Sequence, residues 1–288
     1  MNKSTSLAAL AVATSAFLLG GCDTDSSDLG LRMVEQSVDE GHAFGMQRDM
    51  LHLTRSIDWD LPADEIAETI ADALGDCAAV QGDETSSFAI ALGDTAADAT
   101  CSFSGRTYVG AITIAAEEVD GVITIAHAYD LESEDGEASM LGTTTIVATD
   151  DEHHFASEVE VSRRGRTRVM SGERTEVPLD PTVGFDGGTR VDGSRTMESE
   201  RGTRTQTLSG LEFFGDELVP QAGTISMEGG RRSISMSFSR VDDSTVQATV
   251  EGRRGEFVAT VDAETGEILS TEGSLGRGRP GAGRRYAR

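Results

Sequence analysis

The chain has 288 residues, 38% of them hydrophobic and only 5% aromatic, with 50 acidic against 24 basic side chains and a net charge of −26. A chain of this length buries a sizeable core as one domain or two; with one Trp and three Tyr, that core is mostly aliphatic, filled out by Phe and Met. The charge is uneven: residues 22–150 hold 27 acids against 4 Arg and residues 151–288 hold 23 against 19, so the front half is excluded as a surface for nucleic acid or an anionic membrane. It admits divalent cations or a cationic partner, and its plainest effect is to keep the protein from aggregating.

The chain opens with Lys3 as a positive n-region and an uncharged apolar run from Leu7 to Leu19, followed by Gly20-Gly21-Cys22. That order predicts a secretory signal over residues 1–21, and the run is too short to span a bilayer. An ordinary cleavage site using Gly20-Gly21 is the alternative. Leu19-Gly20-Gly21-Cys22 resembles the lipobox of bacterial lipoproteins. The resemblance implies that Cys22 becomes the first mature residue, carries a diacylglyceryl thioether and an N-acyl chain, and takes the lipid bilayer as its partner. Several acyl chains together anchor a protein firmly. The implied location is the cell envelope, the outer membrane first. Asp23 leaves the periplasmic side of the inner membrane as the alternative, since an aspartate there retains lipoproteins in enteric bacteria. Residues 22–30, rich in Asp and Ser, have almost nothing to bury and read as a tether.

With Cys22 acylated, Cys77 and Cys101 remain as a pair in an oxidising compartment. Their disulfide would close a loop of about 25 residues, worth roughly 3.5 kcal/mol in the chain-entropy treatment. Two free thiols are the alternative. Metal binding is disfavoured, because neither has a second Cys or His at ligand spacing.

Residues 31–100 read as an acidic helical region. Leu31, Val34, Val38, Met46, Met50 and Leu53 predict a helix over 29–56, weakened by Gly41 and Gly45. In a second helix Asp60 is the expected N-cap and Pro62, Asp64 and Glu65 suit a first turn; Ile66, Ile70 and Leu74 form the stripe and Gly75 the stop.

From Cys101 the period changes to two, predicting an antiparallel β domain over 101–270. Tyr108–Ala116 and Val122–Tyr129 flank a hairpin signal at Glu117–Gly121, and Met140–Ala148 and Phe155–Ser162 continue the pattern. A three-residue loop at Arg163-Arg164-Gly165 would pair Ser162 with Arg166, Glu160 with Arg168 and Val159 with Val169. Gly188–Thr196 reads as a hairpin about Asp192-Gly193, and Thr203–Thr207 continues its Arg/Thr alternation with little apolar content, so this ribbon needs charge pairing or a partner to fix register. Ile225/Met227, Ile234/Met236/Phe238, Val246/Ala248/Val250 and Phe257/Ala259/Val261 predict a meander with one wet face. Its rhythm, from Gly223 to Leu269, resembles the C-terminal halves of bacterial envelope lipoproteins; this covers less than a fifth of the chain and carries no functional residue. The expected fold class is mainly β (α+β), a curved antiparallel meander of about 10–12 strands with two N-terminal helices packed on its apolar face. A membrane barrel is disfavoured by polar wet faces and missing aromatic girdles. Residues 271–288 read as a disordered Arg/Gly-rich tail.

The chemical motifs are weak. His153 and His154 are adjacent, so a strand would point them to opposite faces, which argues against Asp150–His154 as a metal site. Asp130, Glu132, Glu134 and Asp135-Gly136 imitate a calcium loop, but the glycine comes one position late and the closing acid is missing. Arg277-Gly278-Arg279-Pro280 matches an AT-hook core, a coincidence in an exported protein; the tail is better suited to the protein's own acidic half or an anionic glycolipid. His127, inside a predicted strand, is expected in the core. The sequence contains no G-x-S-x-G elbow, H-E-x-x-H, phosphate loop or dinucleotide fingerprint. No catalytic residue, metal ligand or cofactor is expected. The favoured function is a non-enzymatic envelope lipoprotein that binds or scaffolds an envelope protein or glycolipid. A carrier or chaperone for an amphipathic ligand comes next, recognisable by an open apolar cavity, and an enzyme comes third.

Overall fold

A computed structural model of the chain describes residues 26–275 apart from 60, 76–77, 83–86, 93–100, 104–105, 120–121, 134–135, 137, 164–165, 200–201, 216, 230–231 and 254. The signal and lipobox segment with Cys22, together with Cys77, Asp60 and the tail from residue 276, lie outside the described residues. Two helices, α1 (Ser26–Arg55) and α2 (Ala63–Leu74), precede fifteen strands. These are β1 (Ala78–Gly82), β2 (Ser87–Leu92), β3 (Cys101–Phe103), β4 (Arg106–Val119), β5 (Val122–Ser133), β6 (Ala138–Ala148), β7 (His153–Arg163) and β8 (Arg166–Asp180). The series continues with β9 (Gly184–Ser199), β10 (Gly202–Phe213), β11 (Ala222–Gly229), β12 (Arg232–Arg240), β13 (Thr245–Gly252), β14 (Gly255–Asp262) and β15 (Ile268–Gly273).

All strands belong to one antiparallel sheet in chain order, except that β3 pairs with β4 beside β2. The sheet therefore starts at Ala78 rather than near Cys101, because Phe88, Ile90 and Leu92 alternate with Ala89 and Ala91 and bury one face. It also runs past residue 270, through β15 to Gly273, and Leu275 is buried beyond it. Helix α1 begins at Ser26, inside the stretch expected to be tether. In α2 the N-cap position is Pro62, without a side-chain cap, and its carbonyl takes the first helical bond from the Ile66 N–H. Gly75, at φ 70°, stops the helix as expected.

Two turn expectations are corrected. β9 runs straight through Asp192-Gly193, hydrogen-bonded on both sides to β8 and β10. The glycine serves close packing there: a Cβ on Gly193 would lie 2.7 Å from Arg174 Cβ in β8. In the β7–β8 hairpin Arg163 pairs with Arg166, Val159 with Met170 and Glu160 with Val169, one step from the expected register. The reason is parity. This register sets Arg174 and Glu176 opposite the inward Phe155 and His153, whereas a three-residue loop would have placed Glu173 and Thr175 there. The β4–β5 hairpin is as expected, with strands extended to pair Val119 with Val122.

Helix α1 lies on the apolar side. It approaches β13 and β14 near one end of the strand order and β3 near the other. Fourteen strands laid flat would be about 60 Å wide, so the sheet curves around the helix. Two apolar clusters fill the interior. One joins the N-terminal part of α1 to β9–β14; the other joins its C-terminal part and α2 to β2 and β4–β7.

Candidate functional site

Between the clusters runs a belt of buried polar groups, where α1 crosses the middle of the sheet. Sequence forces it: α1 carries Gln47, Arg48, Thr54 and Arg55 into a covered space, and each buried polar group needs a partner. Arg174 in β8 supplies the first. Its Nη1 donates to Gln47 Oε1 at 2.6 Å, its Nε donates to Glu176 Oε1 at 2.9 Å, and its guanidinium lies 3.8 Å from the Phe155 ring centroid. Gln47 Nε2 donates to Thr144 Oγ1 at 3.3 Å, and Thr144 shares a 3.0 Å bond with Ser157 across β6 and β7. Arg48 sits 5.1 Å from the Phe213 ring centroid, and Arg195 Nε donates to Gln206 Oε1.

Room for these long side chains comes from glycine. Gly172 faces Arg195 and Gly193 faces Arg174 across the β8–β9 ladder. Arg174 and Glu176 are both buried, and burial pushes the Arg174 guanidinium below its usual range against the pull of Glu176. Among the described residues, Glu176 Oε2 has no hydrogen-bond partner.

Two histidines complete the belt. His127 Nδ1 lies 3.2 Å from Tyr129 Oη and its Nε2 3.5 Å from Thr54 Oγ1. Burial holds His127 down at about 4 and pushes the Tyr129 phenol up. His153 stacks on Phe185 at 3.7 Å, and its Nε2 accepts from Arg55 Nη1 at 3.0 Å. Burial, opposed by Glu176 and assisted by Arg55, lowers it to about 4. Both imidazoles are therefore neutral near pH 7. Arg55 also reaches Asp150 at 2.9 Å on the surface.

His153 points inward while His154 faces Glu173 at 3.8 Å, so the adjacent pair is split as strand geometry demands. Among the described residues no group of three His, Cys, Asp or Glu side chains could hold a metal ion. Asp130 and Glu132 of the calcium-like stretch lie in β5; Glu134 and Asp135 are outside the described residues. Cys101 opens β3 opposite Tyr108, while Ala78, which follows Cys77, aligns through Leu92 with Gly110, two positions along β4. The Arg/Thr ribbon is neither wholly polar nor without a register device: Val191, Met197 and Leu208 are buried, and Asp192 Oδ1 takes the Gly210 N–H at 2.7 Å where β10 bulges. Arg174 and Glu176 were not singled out from sequence, though Gly172 and Gly193, each two residues from an arginine, carried a signal. No described helix is long and apolar enough to cross a membrane. The chain matches no family model, no curated protein and no solved structure, so its site rests on this geometry.

Proposed function

We propose that this chain is a lipid-anchored protein of the cell envelope that works as a non-enzymatic binding or scaffolding module. Cys22 is its lipid attachment site and a Cys77–Cys101 disulfide braces its N-terminal half. The observation that carries the reading is the seating of α1. Gly30 packs on the Phe257 ring and Gly41 on the Leu218 carbonyl, so closely that neither has space for a methyl group. A helix so fitted occupies the interior that a carrier would reserve for its ligand. Among the buried groups capable of acid–base work, His127 and His153 bond to Thr54 and Arg55 of the helix, and Glu176 holds Arg174, which bonds Gln47. Binding is left to the outward face and the two ends of the sheet.

Replacement of Cys22 by serine tests the anchor: acyl labelling should vanish and the protein should leave the membrane fraction. Unchanged membrane retention would overturn it. Peptide mapping without reductant tests the bridge, and recovery of Cys77 and Cys101 as free thiols would remove it from the proposal.

A further inference from the structure

From β4 onward, alternating strand direction gathers the links β4–β5, β6–β7, β8–β9, β10–β11, β12–β13 and β14–β15 at one end of the sheet and the links β5–β6, β7–β8, β9–β10, β11–β12 and β13–β14 at the other. The first end is acidic. It carries Asp151, Asp243 and Glu264 in its turns, and its one arginine among the described link residues, Arg240, is held by Glu217 at 2.9 Å. The second end is different from β7 to β14. Its described strand ends and turns are Arg163 and Arg166 in β7–β8, Ser199 and Gly202 in β9–β10, Gly229 and Arg232 in β11–β12, and Gly252, Arg253 and Gly255 in β13–β14. Four are arginines, and by sequence the links between them add Arg164, Arg201, Arg231 and Arg254 against one acid, Glu200. Arg253 is exposed. Glu251 and Glu256 face each other one step further in, so Arg253 stands between them and whatever meets this end. The β5–β6 link at the same end ends β5 with Glu132 nearby and bounds the arc.

The second observation is the direction of α1. Its start lies at the arginine end, where Gly30 meets Phe257 two residues from Gly255, and its last residue, Arg55, reaches Asp150 at the acidic end. Only four peptide steps separate Cys22 from Ser26, a reach of at most about 14 Å. An acyl anchor on Cys22 thus keeps the start of α1 close to the headgroups, on the scale of the roughly 8 Å over which salt screens charge.

We infer that the arginine arc of β7–β14 is a membrane-docking surface that seats this end on the anionic phosphate headgroups of the leaflet holding the anchor. The acidic end then points away. Membrane-proximal arginines each add affinity for an anionic leaflet, and headgroup phosphates accept their planar forks. The inference rests on the lipoprotein reading for its orientation, and its test is separable from that reading.

The test uses the mature chain from residue 22 carrying Cys22→Ser, so that neither an acyl chain nor the apolar run Leu7–Leu19 contributes, in sedimentation with phosphatidylcholine vesicles with or without phosphatidylglycerol. Binding should require phosphatidylglycerol and weaken as salt is raised. The added changes Arg163→Glu, Arg166→Glu, Arg232→Glu and Arg253→Glu should reduce that binding about tenfold or more. Asp243→Asn at the opposite end should leave it unchanged. Should the fourfold variant fail to fold, Arg232→Gln with Arg253→Gln should reduce binding in the same direction. Equal binding to neutral vesicles, absence of binding to anionic ones, or binding insensitive to the arginine changes would overturn the inference. So would salt-sensitive self-association without vesicle binding, which would assign the arc to the acidic end of a second copy. None of these outcomes bears on acylation, which the labelling of Cys22 reads independently.

Discussion

The two apolar clusters solve the same packing problem in opposite ways. Around the C-terminal half of α1 the sheet presents bulky residues, Ile112, Ile114, Ile125, Tyr129 and Phe155, and α2 adds Ile66 and Ile70. Around the N-terminal half small residues, Val246, Ala248, Val250, Ala259 and Val261, are mixed with large ones, Leu208, Phe213, Met236, Phe238 and Phe257. There bulk on one surface meets glycine on the other, since Gly30 meets the Phe257 ring and Val38 meets Gly266. Close packing leaves no space for both partners to be large. Size on one surface is matched to size on the other. The charged belt lies where one regime gives way to the other.

Breaking the belt should have the largest effect. Arg174→Ala leaves Glu176 buried without its ion partner, and removal of one member of such a pair destabilises by about 3–5 kcal/mol. Urea unfolding should show that loss. Joint replacement, Arg174→Met with Glu176→Leu, should recover most of it, since an apolar pair of similar volume has no charge to desolvate. If the double variant is as unstable as the single one, the belt joins the clusters through geometry that apolar groups cannot reproduce.

Acid probes the same belt through its two histidines. His127 and His153 titrate near pH 4 in the folded chain and near 6.5 when unfolded. Between those values the unfolded chain binds more protons, so stability falls as pH drops from about 6.5 to 4, by about 3 kcal/mol for each histidine. Above that interval the two contribute no pH dependence. Asp180, Asp242 and Asp262 lose stability in acid as well, because turn hydrogen bonds, led by those from Thr182, Ser244 and Thr265, hold their carboxyls below the usual range. The His127→Gln/His153→Gln variant separates the contributions. Its urea midpoint should change less between pH 7 and pH 4.5 than that of the parent, and an identical slope would remove the histidines from the account.

Much of this architecture was readable in the alternation of residues. Ile225 to Val261 gave the last meander directly, and Ile66, Ile70 and Gly75 gave α2. What was misread depended on partners remote in sequence. Asp192-Gly193 is a good local turn signal, but two neighbouring strands claim it, and its glycine exists to admit Arg174. The β7–β8 register turns on which of Glu173 and Arg174 faces inward, and that is decided by Gln47, 127 positions away. β1 and β2 were hidden inside an acidic stretch whose average composition masked Phe88, Ile90 and Leu92. The Arg174–Glu176 pair was unreadable for a related reason. Sequence alone places charges outside, and only a helix carrying its own polar residues into the interior makes a buried pair the better solution.

The close-packed cluster can be tested by enlargement. Ala248→Leu puts three extra carbons where β13 faces Phe238 and Ala259 and nothing is exposed. Overpacking of this kind costs about 1–3 kcal/mol, read as a lower urea midpoint. The bulky cluster should fail in the other direction, with Ile114→Val costing about 0.5–1.5 kcal/mol through the space it vacates.

The smallest effect is expected where α1 ends. Arg55 ties that end to Asp150, but Asp150 is 96% exposed, so water already competes for the pair. Exposed ion pairs contribute little, and Asp150→Ala should move the thermal midpoint by less than about 3 °C. Arg55 has a second bond, to His153 Nε2, which lies in the buried belt and forms only with a neutral imidazole. Arg55→Ala should therefore cost more than Asp150→Ala at pH 7, and the difference should shrink near pH 4 as His153 takes up its proton. Equal effects of the two changes at pH 7 would mean that the Arg55–His153 bond adds nothing, with the belt stopping at the Thr54–His127 contact.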